Sequence, residues 1–224
     1  MFSIIIVGYN VEKTIKRALD SVFCGNNSNS FELIYVDDGS YDKTRDIVDK
    51  YSKKHSIKKV YLKENTGIFN ARCEGIKKAT CEYSILLDAD DELRKGSIDV
   101  IAKTINSKKF DICEYGINPV FNDGYVLDKS TIENYYNKTS DKVRNNDLLS
   151  ECFLEERIIV NVWNKIYKTD LLKKIIEYNI YDHVNLEEDW VISLITLNEC
   201  KKYHRINNKL VNYYAGGVFQ LHIR

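Results

Sequence analysis

Apolar runs alternate with helically spaced apolar residues through the first hundred positions of the chain. Phe2 to Val7 is an apolar, β-branched run, the pattern of a strand buried on both faces. Gly8-Tyr9-Asn10 breaks it, and Ile15, Ala18, Leu19 and Val22 then follow helical spacing. Gly25 to Ser30 is polar and reads as a loop. A second strand, Phe31 to Val36, ends in Asp37-Asp38-Gly39-Ser40, and Thr44, Ile47, Val48 and Tyr51 mark a second amphipathic helix. A short third strand, Lys59 to Leu62, leads through Glu64-Asn65-Thr66-Gly67 into a helix with Ile68, Ala71, Gly75, Ile76 and Ala79 on one side. Tyr83 to Leu87 is the fourth strand, and it runs into Asp88-Ala89-Asp90-Asp91-Glu92.

Such βα alternation predicts an α/β fold with a mostly parallel, Rossmann-like sheet and helices on both faces. Ligands in these sheets bind beyond the carboxyl ends of the strands. Each polar break, at Tyr9-Asn10, Asp37-Asp38 and Asp88 to Asp91, falls at such an end. Distant parts of the chain are therefore expected to converge on one edge.

Beyond Ile105 the alternation stops. Asp111 to Gly116 reads as a strand, and Val120 to Leu127 as an extended pair turning at Asn122-Asp123-Gly124. Ser130 to Asn146 is polar, a loop or weak helix, and Leu148, Leu149, Cys152 and Phe153 suggest a short helix. Thr169 is expected to cap a helix that buries Leu171, Leu172, Ile175 and Ile176. A further helix opens at Asn185 to Trp190, with Trp190, Val191, Leu194 and Leu197 as its buried face. Tyr203 to Tyr214 closes the chain as a strand or hairpin. The expectation is one domain over residues 1–224, with a nucleotide-binding half (1–106) and an acceptor half (107–224).

Composition narrows the function classes. Lys plus Arg and Asp plus Glu both number 33, a balance that argues against a nucleic-acid partner. The six cysteines form no CxxC pair, so a reduced, cytoplasmic setting is expected rather than a disulfide or zinc framework. The apolar start is too short for a signal peptide, and no stretch is long enough to span a bilayer. Lysine pairs such as Lys53-Lys54 and Lys77-Lys78 leave peripheral association with anionic lipid, at the inner face of the membrane, open. A homo-oligomer is equally open.

Three carboxylates within Asp88 to Asp91 repel one another, and a hard cation relieves that repulsion. An acidic turn at a helix start is the other reading of the same residues. A carboxylate pair there could hold Mg²⁺ or Mn²⁺ against a diphosphate. A separate carboxylate, Glu188 or Asp189, could then act as base toward a hydroxyl, although acidic residues also favour a first helical turn for its dipole. No GxGxxG or GxxxxGK occurs, which disfavours a dinucleotide dehydrogenase and a P-loop NTPase.

Several motifs together carry a resemblance. They are Ser3 to Ile6 with Tyr9-Asn10, Val36 to Ser40, Asn65 to Gly67 with Ala71-Arg72 and Gly75, Leu87 to Asp91, Trp163-Asn164-Lys165, and Glu188-Asp189. In order and spacing they resemble family 2 glycosyltransferases, over about residues 2 to 200. The resemblance implies the A-type glycosyltransferase fold and metal-assisted, inverting transfer. The donor would be a nucleotide-diphospho-sugar, a UDP-sugar first, and the acceptor a glycan or lipid-linked hydroxyl. It implies that Tyr9 lines the base pocket with Glu12 near it, and that Asp38 bonds the base with Asp37 beside it. Arg72 would reach the nucleotide. Asp88, Ala89 and Asp90 would meet the donor, with Asp90 and Asp88 on the metal (Mn²⁺ or Mg²⁺). Asp189 would be the general base, helped by Glu188, and Trp163, Lys165 and Asp91 would shape the sugar and acceptor side.

The chain departs from that pattern in two places. Val7-Gly8 stands where the family usually has Pro before Tyr-Asn. The Tyr213-Tyr214 to Phe219 segment lacks the Arg that the family often places there to close over phosphates, with His222 or Arg224 as substitutes, and the carboxyl end is short for the family. These departures keep an alternative open, a non-catalytic nucleotide-sugar-binding domain or an inactive fragment of a larger transferase. His183, six residues before Asp189, is the histidine nearest the proposed base in sequence.

Overall fold

The computed structural model describes residues 1–24, 30–121, 130, 143, 146–178 and 187–215. The expectations for residues 25–29, Asn122-Asp123-Gly124, most of Ser130 to Asn146, His183, and the segment from Gly216 to Arg224 lie outside the described residues.

The strands are β1 (Phe2–Gly8), β2 (Phe31–Asp37), β3 (Ile57–Tyr61), β4 (Tyr83–Asp88), β5 (Glu92–Leu93), β6 (Ile112–Phe121), β7 (Lys165–Lys168) and β8 (Tyr203–Ala215). The helices are α1 (Ile15–Phe23), α2 (Thr44–Ser52), α3 (Ile68–Lys78), α4 (Ser97–Ser107), α5 (Leu148–Phe153), α6 (Thr169–Glu177) and α7 (Glu188–Glu199). The strands form one sheet in the order β3-β2-β1-β4-β7-β6-β8-β5. The run from β3 to β4 is parallel. β7 is antiparallel to both β4 and β6, which carries the later strands onto the same sheet. The expected α/β fold with helices on both faces is therefore present.

The alternation of β1 divides the core. Phe2, Ile4 and Ile6 pack with Ile15, Leu19 and Val22 of α1, Val48 of α2, and Ile98 and Ile101 of α4. Ile5, Ile34, Val36 and Leu86 face the other way, toward Phe69 and Ile76 of α3, Leu148 of α5, Leu172 of α6 and Ile192 of α7. Each fully buried isoleucine or leucine contributes roughly 1.5–3 kcal/mol. The helix α3 lies especially close to the sheet. A Cβ on Gly75 would stand 2.5 Å from Ile5 Cγ2 and 3.1 Å from Val36 Cγ2.

Three expectations need correction. The helix α7 buries Ile192, Ser193, Ile195, Thr196 and Leu197, while Trp190 and Leu194 are about half exposed. Ser193 and Thr196 tolerate burial because their hydroxyls donate to the carbonyls of Val160 and Ile192. Thr169 is the first residue of α6 rather than its cap, and its hydroxyl pairs instead with that of Ser84 on β4, 2.7 Å away. The strand from Ile112 runs on to Phe121. Of the two readings of the closing segment, the strand holds: Tyr203–Ala215 is one long strand bridging β6 and the short β5. β5 itself went unread, since two residues leave no periodicity to detect. Among the described residues, no helix is long and apolar enough to cross a membrane.

Candidate active site

Strand register sets the site. Gly8 of β1 lies level with Asp37 of β2, and Val7 with Asp88 of β4. The polar breaks after these strands consequently meet at one edge of the sheet.

Each loop is tied down by its own polar residues. Asp37 is fully buried, and its Oδ1 accepts from Ser40 N at 2.9 Å and Arg45 Nε at 2.6 Å. Asp38 Oδ1 accepts from Thr66 N at 2.8 Å and Thr66 Oγ1 at 2.9 Å, and Oδ2 accepts from Gly67 N at 3.0 Å. Asp38 thus folds the loop before α3 across the end of β2. Gly39 lets that loop pass: its φ is +80°, and a Cβ there would lie 2.4 Å from the Glu64 carbonyl carbon. Asn10, at φ +54°, accepts from Tyr41 N at 3.0 Å. Tyr9 stays partly exposed, edge-on to the exposed Tyr41 at 6.1 Å. Glu12 is on the surface, where its Oε2 accepts from Lys43 N at 3.0 Å and joins the loop to α2.

Asp88, Asp90 and Asp91 offer one carboxylate oxygen each, all within 4.8 Å of one another. Burial and the neighbouring Asp88 charge push the Asp90 carboxyl up to about 6. The same two causes, with Asp90, raise Asp91 well above the usual range. Asp91 Oδ1 accepts from Tyr214 N at 2.9 Å, which fastens β8 to the acidic loop. Ala89, buried between them, packs into the core.

A second group of carboxylates reaches the same edge through Arg72 of α3. Its Nη2 donates to Asp88 Oδ1 at 2.8 Å, and its Nη1 donates to Glu188 Oε1 at 2.7 Å and Asp189 Oδ1 at 2.8 Å. The Arg72 side chain is 3% exposed, whereas those of Asp88, Glu188 and Asp189 are 25%, 17% and 19% exposed. The guanidinium therefore sits behind, and the carboxylates, themselves mostly buried, keep only a small exposed part toward solvent. Burial pushes Asp189 up to about 6; Arg72 pulls it down, and the Glu188 and Asp88 charges push the same way as burial.

Tyr9, Asp38, Arg72, Asp88, Asp90, Asp91, Glu188 and Asp189 thus stand on one edge. Besides the buried Asp37 and Ala89, Trp163 and Lys165 point inward instead. Trp163 packs with Ile117 and Ile159 and stacks on Tyr213 at 4.8 Å. Lys165 is 1% exposed, its ammonium donating to the carbonyl of Ile159 at 2.6 Å, to that of Asn161, and to Asn164 Oδ1 at 2.9 Å.

Sequence reasoning missed Arg17. It donates from α1 to the Asp90 carbonyl, and its guanidinium lies 3.4 Å over the Tyr214 ring. An arginine does therefore reach the acidic loop beside the tyrosine-rich strand, but from the opposite end of the chain. No spacing signal links residue 17 to residue 90.

The Glycosyl transferase family 2 model matches residues 3–155. The chain is 26% identical to glycosyltransferase GlyA of Streptococcus pneumoniae over 217 residues, 94% of this chain and 30% of GlyA. It is likewise 26% identical to the uncharacterized glycosyltransferase EpsJ of Bacillus subtilis, over 95% of this chain and 60% of EpsJ. The crystal structure of S. aureus TarS 1-349 in complex with UDP-GlcNAc superposes with a TM-score of 0.75 at 26% identity, covering 95% of this chain and 58% of that one. The chain thus spans between about a third and three fifths of these relatives' lengths.

Proposed function

Because the chain belongs to glycosyl transferase family 2, we propose that it moves a sugar, a hexosyl or N-acetylhexosaminyl group, from a UDP-sugar to a hydroxyl of a glycan or lipid-linked acceptor, with inversion at the anomeric carbon. The observation that carries this reading is the meeting of two acidic groups, Asp88-Asp90-Asp91 and Glu188-Asp189, at the carboxyl edge of the parallel strands. One group suits the donor diphosphate and the other the acceptor.

The donor's base lies between Tyr9, with Tyr41 beside it, and Asp38. A carboxylate offers about four acceptor sites, and the loop uses three on Asp38, which leaves one for a base N–H. The donor set of Asp88, Asp90 and Asp91 fits a hard divalent cation, since all three ligands are carboxylate oxygens and two of the carboxyls are raised, by burial first and then by one another's charge, which a cation offsets. Asp90 and Asp88 would hold Mn²⁺ or Mg²⁺, which when bound supplies charge stabilisation to the leaving diphosphate.

Asp189 is the general base. Its Oδ1 is occupied by Arg72, so Oδ2 takes the proton of the acceptor hydroxyl. The acceptor oxygen forms its bond to the anomeric carbon as the bond to the diphosphate breaks, and UDP leaves with that electron pair. With its carboxyl near 6, Asp189 is mostly ionised above pH 7 and still basic enough to help. The work is assigned to the cytoplasm, at the inner face of the membrane for a lipid-linked acceptor.

A thermal-shift screen of UDP-, GDP- and dTDP-sugars, each with Mn²⁺ and with EDTA, tests donor binding. A ligand at 100 times its Kd stabilises by about 2.7 kcal/mol. UDP-sugars with Mn²⁺ are expected to raise Tm most, and EDTA to remove most of the rise. The reading is wrong if no nucleotide sugar moves Tm.

A further inference from the structure

Arg72 makes ion pairs with three residues from two other parts of the chain. Asp88 ends β4, and Glu188 and Asp189 open α7, more than a hundred residues beyond Arg72. Both terminal nitrogens are committed, and the side chain is almost wholly buried. To touch a donor phosphate it would have to break these pairs. Asp88 Oδ2 and Asp189 Oδ2 make no hydrogen bond among the described residues. Each carboxylate is thus held by one oxygen and offers the other.

The start of α7 needs such a hold. Glu187, the residue before the helix, has φ +57°, a conformation unfavourable for a residue with a Cβ. Glu188 and Asp189 then follow side by side, facing Asp88. Arg72 is the cation that the described structure places among these three carboxylates. A guanidinium can bridge several of them in a fixed geometry, which an ammonium cannot.

We propose that Arg72 is a positioning residue, a bracket that sets the distance between Asp88 at the donor end and Asp189 at the acceptor end, and leaves the second oxygen of each for substrate. The inference rests on the reading of Asp189 as general base. It gives Arg72 a different task from binding nucleotide, because the guanidinium acts through the carboxylates on either side.

The test compares wild type, Arg72→Lys and Arg72→Gln as full chains. Three quantities are measured: UDP affinity by calorimetry with Mn²⁺, donor KM and kcat, and the carboxyl ¹³C titration of Asp189 in ligand-free protein. Both variants are expected to bind UDP within about threefold of wild type and to lose at least about 10² in kcat, the penalty for a displacement of about 1 Å. The Asp189 midpoint, near 6 in wild type, is expected to move up by about 1–3 units in Arg72→Gln, because an adjacent cation is lost. A tenfold or greater loss of UDP affinity with kcat retained would overturn the proposal and make Arg72 a donor ligand. An unmoved Asp189 midpoint would overturn it as well. Should Arg72→Gln fail to fold, Arg72→Lys decides, since retained kcat in that charge-preserving variant refutes the bracket. A wild type that binds no UDP and transfers nothing defeats the glycosyltransferase reading instead, and the NMR midpoint still tests the bracket.

Discussion

Replacing Asp38 by Asn separates what this residue does for the fold from what it does for a ligand. The side chain is 2% exposed, and both oxygens accept from the loop before α3. In Asp38→Asn, Oδ1 can still take Thr66 N and Thr66 Oγ1. The new amide then faces Gly67 N at the 3.0 Å now spanned by a hydrogen bond, donor against donor. The loss is one charge-assisted bond, about 1.5–3 kcal/mol, and a partly buried N–H is left without its protein acceptor, at up to about 1–3 kcal/mol. These overlap, so a net loss of about 3 kcal/mol is expected. For a chain of this size that lowers Tm by roughly 6–12 °C. Urea unfolding with a fixed m-value measures the loss directly. UDP affinity should fall with it, because the remaining acceptor site and the loop that frames it are both altered. A variant melting within 1 °C of wild type would refute the reasoning, since Asp38 would not then be holding the loop.

Gly75→Ala should destabilise despite the better helix propensity of alanine. The gain of about 1 kcal/mol is outweighed by about 1–3 kcal/mol of overpacking against Ile5 and Val36, and denaturant melts should show a net loss. Under saturating donor and Mn²⁺, kcat should fall toward tenfold per pH unit below about 6, where Asp189 protonates; a flat profile from pH 7 to pH 5 counts against this base. The same shift carries a stability signature. A folded carboxyl raised from 3.8 to about 6 binds its proton more tightly than the unfolded one. Its contribution is therefore full below about pH 4 and lost as pH rises through 6. Metal-free wild type should lose stability relative to Asp189→Asn across that window, as read from urea midpoints at pH 4 and pH 7.

The parallel half of the sheet was legible because β1, β2 and β4 are buried on both faces and announce themselves as apolar runs. From strand order alone, the convergence of Tyr9, Asp38 and Asp88 follows, and the register of Gly8, Asp37, Val7 and Asp88 bears it out. Trp190 was misread for a physical reason. The apolar residues 190, 191, 194 and 197 form a plausible helical stripe, but the face that packs contains Ser193 and Thr196, whose hydroxyls bond to nearby carbonyls and can be buried. Lys165 shows the converse. A lysine in a recognisable motif reads as a ligand-facing cation, yet three oxygens hold its ammonium inside the protein. Arg72 and Arg17 were hardest to read. Arg72 reaches a partner 117 residues away, and Arg17 bonds to Asp90, 73 residues away, and lies over the still more distant Tyr214, so only the folded chain shows what each guanidinium holds.

The central claim is that Asp189 takes the acceptor proton while a separate acidic group serves the donor. It is tested most directly by measuring UDP affinity and sugar transfer side by side in wild type and Asp189→Asn. The account predicts UDP binding within about threefold of wild type, and transfer reduced by at least about 10²-fold, the scale of general-base catalysis. Transfer by Asp189→Asn at the wild-type rate would contradict it.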